Sequence, residues 1–188
     1  MTDMSGHINP VNEHDCPDVM ITEFGEFGAI SSGTTKTGDL LDVCYYELRR
    51  LARLNGVELT AEQTEIGERM AEAYNHSDEG EEFFESETAN EDLAAVIEAL
   101  QDYAPEYGYF GANPGDPACF GFWLFGEVMQ MVLDDGGLVT SWTNKGAKRP
   151  EDVPVDFSGY VLEINDHGNM TLYLYKGGYT RTVIWSVV

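Results

Sequence analysis

Cationic side chains are scarce in this chain. Its 188 residues include 10 Lys and Arg against 34 Asp and Glu, a formal net charge of −24. Nucleic acid and anionic lipid repel so negative a chain at long range, which disfavours direct binding to either and favours a basic protein surface as partner. Cysteine is also sparse. Cys16, Cys44 and Cys119 are far apart and odd in number, which argues against a secreted disulfide framework and fits reduced thiols in a cytoplasm. No segment reaches the roughly 18 apolar residues of a membrane span. The opening MTDMSGHINPVNEHDCPD has neither the basic start nor the apolar stretch of a signal peptide, so the expected location is the cytoplasm. The phosphate-binding glycine loops GxxxxGKS/T and GxGxxG are absent.

What is present is an apolar and aromatic content of 43%, enough to bury a core, in a length that suits one domain. Residues 1–18 carry Pro10 and Pro17 and no periodicity, and are read as a flexible arm. The remainder, 19–188, is read as a single α+β domain. Acidic helices in 39–133 pack on a C-terminal antiparallel meander of three or four strands in 138–188.

Residues 19–27 are expected as a strand. A helix is expected over 39–54, capped by Asp39, with Leu41, Cys44, Leu48, Leu51 and Ala52 at helical spacing and Asn55-Gly56 as its stop. A second helix over 61–75 opens with a Thr60/Gln63 capping box and turns Ile66, Met70, Ala73 and Tyr74 inward. Phe83 and Phe84 pin a short acidic helix within 77–88. Asn90 is the expected cap of a further helix, with Leu93, Val96, Ile97 and Leu100 buried and Pro105 beyond its end. The segment 107–115 reads as a loop. Asp116-Pro117 then reads as the start of a buried helix through 133, since 119–133 is apolar on nearly all sides. From there the period changes from 3.6 to 2. Strands are expected over 138–143, 160–164, 170–175 and 179–187, with a basic loop over 144–158 carrying Lys145, Lys148 and Arg149.

Several groups invite a chemical reading. His7, His14 and Cys16 are zinc-binding residue types, but their spacing fits no compact finger; a mobile arm that happens to contain them is the plainer account, and no metal or cofactor is expected. Cys119, His167 and Asp166 have the composition of a nucleophilic set. Cys119 lies in an apolar run, however, and His167 in turn sequence, so an inert thiol and a turn residue account for them. Asp134-Asp135 and the turn NDHGN lack the EF-hand pattern. A catalytic carboxylate pair requires a pocket that raises one pKa, and no spacing singles one out.

The remaining constellation is the acidity itself. Residues 58–106 hold 16 acidic residues and one basic residue, Arg69. Carboxylates three and four residues apart on a helix stand about 5–6 Å from one another, a row able to imitate phosphates. Glu62, Glu65, Glu68, Glu72, Glu81, Glu82, Glu85 and Glu87 are the candidate partner contacts, with Tyr107 and Phe110 as aromatic anchors. A plain solvating surface and adaptation to high salt are the competing accounts of the same charges.

Two segments, YGYFGANPGDPACFGFW (107–123) and DFSGYVLEINDHGNMTLYLYKGGYTRTVIWSVV (156–188), resemble an uncharacterised family of small proteins from bacteriophages, prophages and plasmids. The resemblance implies a mobile-element accessory protein in a bacterial cytoplasm and assigns no catalytic residue. By analogy with small acidic phage proteins, the leading expectation is a non-enzymatic nucleic-acid mimic. It would occupy the basic groove of a host defence or DNA-processing protein, as anti-restriction and anti-CRISPR proteins do. The alternative is a protein-binding or assembly module working through the aromatic segment 107–123, with acidity serving only solubility. A small hydrolase using Cys119 or a carboxylate pair is the third reading.

Overall fold

The structure is a computed structural model that describes residues 21–75, 77–141, 153–177 and 180–188, and of 77–80 only the backbone. The arm 1–18 with its His7/His14/Cys16 set, and Lys145, Lys148 and Arg149, lie outside the described residues.

The class is α+β, as the change of period predicts. In chain order the elements are β1 (Gly28–Ser32), α1 (Thr37–Asn55), α2 (Ala61–Asn75), α3 (Ser77–Phe84), α4 (Glu87–Gln101), β2 (Gly108–Asn113), β3 (Asp116–Leu124), α5 (Val128–Asp134), β4 (Leu138–Ser141), β5 (Ser158–Ile164), β6 (Met170–Lys176) and β7 (Arg181–Val187). The strands form two sheets, one ordered β1-β3-β2 and one ordered β4-β5-β6-β7.

Helix α1 forms where its apolar period predicts, and Leu41, Cys44, Leu48, Leu51 and Ala52 are all buried. Each large side chain so placed contributes about 2 kcal/mol. Its start differs from expectation. The cap position is Lys36, which makes no side-chain capping bond. Asp39 sits in the first turn and accepts from Thr34 Oγ1 at 2.7 Å. Gly56 ends the helix at φ 66°, a conformation that costs glycine little. Beside it, Asn55 accepts from the backbone N–H groups of Thr22 and Glu23, each at 2.8 Å, and donates to the Glu23 carbonyl at 2.7 Å.

The capping box of α2 is closed in both directions, Gln63 N–H to Thr60 Oγ1 at 3.2 Å and Thr60 N–H to Gln63 Oε1 at 3.0 Å. Ile66, Met70 and Ala73 are buried. Tyr74 is not: it is 59% exposed and rests against Phe84 with ring centres 5.2 Å apart. Phe83 and Phe84 pack on the helical core as expected. Helix α4 begins one turn earlier than expected. Ser86, not Asn90, is its cap, accepting from Ala89 N–H at 3.2 Å.

The largest departures are in the first sheet. The expected strand over 19–27 is displaced: residues 21–26 run without a ladder and β1 starts at Gly28. The expected loop 107–115 contains β2, and the helix expected from Asp116 is instead the central strand β3 followed by the short α5. A strand covered on both faces reads as a continuous apolar run, as a buried helix does. Glycine decides between them. A Cβ on Gly121 would overlap the carbonyl oxygen of Gly28 in the neighbouring strand, so β1 and β3 approach where only glycine fits.

Helices α1, α2 and α4 share a core with Phe110 and Phe122 of this first sheet. The meander β5–β7 is antiparallel throughout, as expected. The expected strand over 138–143 appears as β4, but it pairs with β5 in parallel, since its chain returns through a crossover rather than a hairpin. One face of this second sheet packs on Val128 and Val132 of α5 and on Tyr107. Phe27 against Trp185, ring centres 5.5 Å apart, joins the two halves.

Gly121→Ala should lower the stability to urea unfolding by about 3 kcal/mol through this overlap. Gly126→Ala, where a Cβ meets nothing within 4 Å, should change it by less than about 0.5 kcal/mol.

Candidate functional site

Capping and apolar periodicity fix the orientation of α2 and α4, and with it the placement of the carboxylates. Glu62, Glu65, Glu68 and Glu72 on α2 are all exposed. So are Glu81 and Glu82 on α3, Glu85 in the connection, and Glu87, Glu91 and Glu98 on α4. Asp92 is the exception. It is 5% exposed and takes a two-pronged grip from Arg69, Nε to Oδ2 at 3.0 Å and a terminal nitrogen to Oδ1 at 2.5 Å. Arg69, the only cation of 58–106, pairs with this inward carboxylate, and its charge also reaches the outward Glu62 and Glu65.

The aromatic segment is arranged differently. Phe110 is 4% exposed and packs on Phe122 at 4.8 Å between ring centres, and Tyr107 is 7% exposed. As they stand, both rings are core residues with little surface to offer a partner. Trp123 donates to the Gly111 carbonyl at 3.0 Å. The aromatic surface that remains near this segment is a tilted pair, half-buried Tyr109 and exposed Phe125, 5.1 Å apart; Met129 and Leu133 of α5 are also exposed. Cys119 lies on β3, paired with Ser32 and partly exposed rather than buried in a helix. His167 lies in the β5–β6 turn of the other sheet, donating its backbone N–H to Asn165 Oδ1 at 2.9 Å. No interaction joins Cys119 to His167 among the described residues, so they do not form a nucleophilic set. The buried thiol Cys44 is pushed up to about 12 by burial and by Glu47, which makes it inert at neutral pH.

A second acidic feature lies where the helical half meets the second sheet. Glu106, Tyr107, Gly108, Phe125, Met131, Asp134 and Asp135 line a cleft of about 350 Å³. Its base is the turn that leaves α4, closed by Gly108 N–H to the Pro105 carbonyl at 2.8 Å. Tyr107 occupies the third position of that turn at φ 59°, where glycine is usual. Its hydroxyl donates to Asp135 Oδ2 at 2.9 Å, and its ring meets Tyr160 edge-on at 5.7 Å. The Tyr160 hydroxyl donates to Glu106 Oε2 at 3.4 Å, and Trp185 Nε1 donates to the Glu106 carbonyl at 2.8 Å. Burial raises the Glu106 carboxyl; the Tyr160 bond opposes this and the negative Asp135 adds to it. The Tyr160 hydroxyl is in turn pushed up to about 12, by burial first and then by Glu106, so it remains a donor at neutral pH. This arrangement can hold a proton on Glu106 more readily than an open carboxylate, and it concentrates negative potential in a concave site.

Sequence reasoning passed over Glu106 and Tyr160. The available signals were Tyr107 following Pro105-Glu106 at a helix exit and the paired Asp134-Asp135. Neither reveals that segments 54 residues apart converge. Among the described residues, no three Asp, Glu, His or Cys stand together so as to hold a metal ion, Asp134-Asp135 and the NDHGN turn included. No helix among them is long and apolar enough to cross a membrane. No family model, curated protein or solved structure matches the chain.

Glu163 is raised as well. Burial outweighs the opposing effect of Arg181, whose guanidinium reaches it at 2.8 Å. For a carboxyl whose folded pKa lies above its unfolded value, ionisation costs more in the folded state. Stability is therefore fullest below the ordinary glutamate pKa and declines as pH rises through the raised values of Glu106 and Glu163. The melting temperature should fall between pH 4.5 and neutrality, and Glu106→Gln should make that decline shallower; circular-dichroism melts across the range check both.

Proposed function

We propose that the protein acts by binding rather than by catalysis, as a nucleic-acid mimic whose acidic helices α2–α4 dock in the basic groove of a nucleic-acid-binding protein. The observation that carries the reading is the exposure of Glu62, Glu65, Glu68, Glu72, Glu81, Glu82, Glu85 and Glu87 on the helical part of the chain, where the one cation, Arg69, is paired with Asp92. Successive carboxylates at helical steps of three and four lie about 5–6 Å apart. A groove built for phosphates releases its own bound anions when such a row enters, so affinity should decline steeply with salt. With the resemblance of 107–123 and 156–188 to mobile-element proteins, the partner class is a host defence or DNA-processing protein in a bacterial cytoplasm, of the kind met by anti-restriction and anti-CRISPR proteins.

The ring pair of half-buried Tyr109 and exposed Phe125, and the exposed Met129 and Leu133 of α5, favour a second reading. In it the aromatic segment is the interface and acidity keeps the protein soluble. Tyr107 and Phe110 would then support that surface from the core.

Passing bacterial lysate over the immobilised protein and eluting with a salt gradient separates the two. The mimic reading expects a nucleic-acid enzyme that elutes sharply with salt and is displaced by DNA or RNA. It also expects that Glu62, Glu65, Glu81 and Glu82 changed together to Lys abolish retention while the melt stays cooperative. Retention that resists salt and is lost on Phe125→Ala would replace the mimic with the aromatic interface.

A further inference from the structure

Most of the positive charge of the helical half sits on one face of α1. Three of the five Lys and Arg residues in 1–110, Arg49, Arg50 and Arg53, lie close together there. They follow Tyr46 at steps of three, four and seven, which puts all four on one side of a helix. Leu41, Cys44, Leu48 and Leu51 take the opposite side into the core. Tyr46 is 71% exposed, and Leu54, one turn beyond Arg50, is 50% exposed. Glu47 answers Arg50 at 2.7 Å. Arg49 lies 5.9 Å from the centre of the Tyr45 ring. Neither it nor Arg53 forms an ion pair with a described residue. The exposed Asp42, one turn before Tyr46, ends the cationic stretch.

We propose that this face of α1 is a docking site for the chain's own segment 1–20, whose carboxylates meet Arg49 and Arg53 beside the apolar surface of Tyr46 and Leu54. Charge, place and reach select this occupant. The segment holds Asp3, Glu13, Asp15 and Asp18 and no Lys or Arg, and guanidinium groups bind carboxylates through charge-assisted hydrogen bonds. The chain enters its described part at Ile21, and the next two residues are fastened to the end of α1. The backbone N–H groups of Thr22 and Glu23 donate to Asn55 Oδ1, each at 2.8 Å, two residues past Arg53. Asp18 and Asp15 precede Ile21 by at most about 10 and 20 Å of chain, and Arg49 stands about 9 Å along the helix from Asn55. A separate acidic partner, or nucleic acid, would be repelled at long range by the net charge of −24. A tethered segment is already held beside the face at high effective concentration. Exposed ion pairs are individually weak, so the docking depends on several acting together and declines with salt. While the segment is docked, Tyr46 and the arginines are out of reach of other ligands. The inference stands on α1 and does not use the role proposed for α2–α4.

Cys16 lies within the segment and reports where it goes. Cys119→Ser removes the partly exposed thiol, and Cys44 is buried. In that background Tyr46→Cys places a thiol at the centre of the face. Glu58→Cys places one at an exposed position past the end of α1, closer along the chain to Asn55 but off the face. Equilibrating each full-length variant in glutathione buffers, with peptide mass spectrometry as the readout, gives the effective concentration of Cys16 at each position. Docking expects the disulfide to the Tyr46→Cys position to be favoured at least about tenfold over that to the Glu58→Cys position. Asp15→Asn with Asp18→Asn, and separately Arg49→Gln with Arg53→Gln, should bring the two within about twofold, as should about 0.5 M salt. Equal effective concentrations without these changes overturn the proposal. So does a preference that survives both neutralised pairs, since charge then does not hold the segment. Disulfides that join two chains and increase with protein concentration overturn it as well and give the face to a second copy. Circular-dichroism melts confirm that each variant is folded, and Leu54→Cys serves if Tyr46→Cys is not.

Discussion

Arg69 and Asp92 hold α2 to α4 amid the repulsion of the carboxylates around them. Packing alone would bring these helices together, through Ile66, Met70, Val96 and Leu100. Yet every outward acid on either helix opposes the approach. A two-pronged ion pair from the partly exposed Arg69 to the buried Asp92 counters the repulsion. It also fixes the rotation of both helices, because a guanidinium fork tolerates little misalignment. The acidic face is therefore a by-product of how the core is locked. With the single cation of 58–106 paired to Asp92, the glutamates on these helices outnumber any positive charge near them.

The same economy appears in the second half of the molecule, with a different solution. Glu163 is buried and answered by Arg181, which also lies over the Tyr173 ring at 4.2 Å. Glu106 is answered only by tyrosine and tryptophan donors. A hydrogen bond from a neutral group satisfies an oxygen without cancelling its charge. So the buried carboxylates Glu47, Asp92 and Glu163 are each answered by an arginine, Arg50, Arg69 and Arg181, whereas the exposed Glu106 is not. Glu106 faces the cleft, where the backbone is also bent into a turn that a tyrosine occupies at some cost.

The helices were legible in the sequence because their evidence is local. The Thr60/Gln63 box, the Leu41 to Ala52 stripe and Gly56 act within a few residues of themselves. The meander was legible for the same reason, since NDHGN and Lys176-Gly177 are hairpin turns. The first sheet was not. Its ladder joins Gly28–Ser32 to residues some ninety positions later, and its central strand is apolar on both faces, so periodicity gives no sign of it. Gly121 and Gly126, poor helix formers within 116–133, are the signal. Gly121 marks close strands, and Gly126 lies just beyond the last residue of β3. At the candidate site, exposure of the α2 glutamates followed from helical spacing. The convergence of Glu106, Asp135 and Tyr160 followed from the packing of α5 and the second sheet, which no local pattern encodes.

The parallel pairing of β4 with β5 carries a consequence for how the chain folds. Strands β5, β6 and β7 are joined by tight turns, so their ladder closes loops of a few residues at small entropic cost. β4 meets β5 only after a crossover of sixteen residues, and parallel pairs are a little weaker per residue. The three-stranded ladder is thus the fast, local part of this sheet, and β4 completes it late.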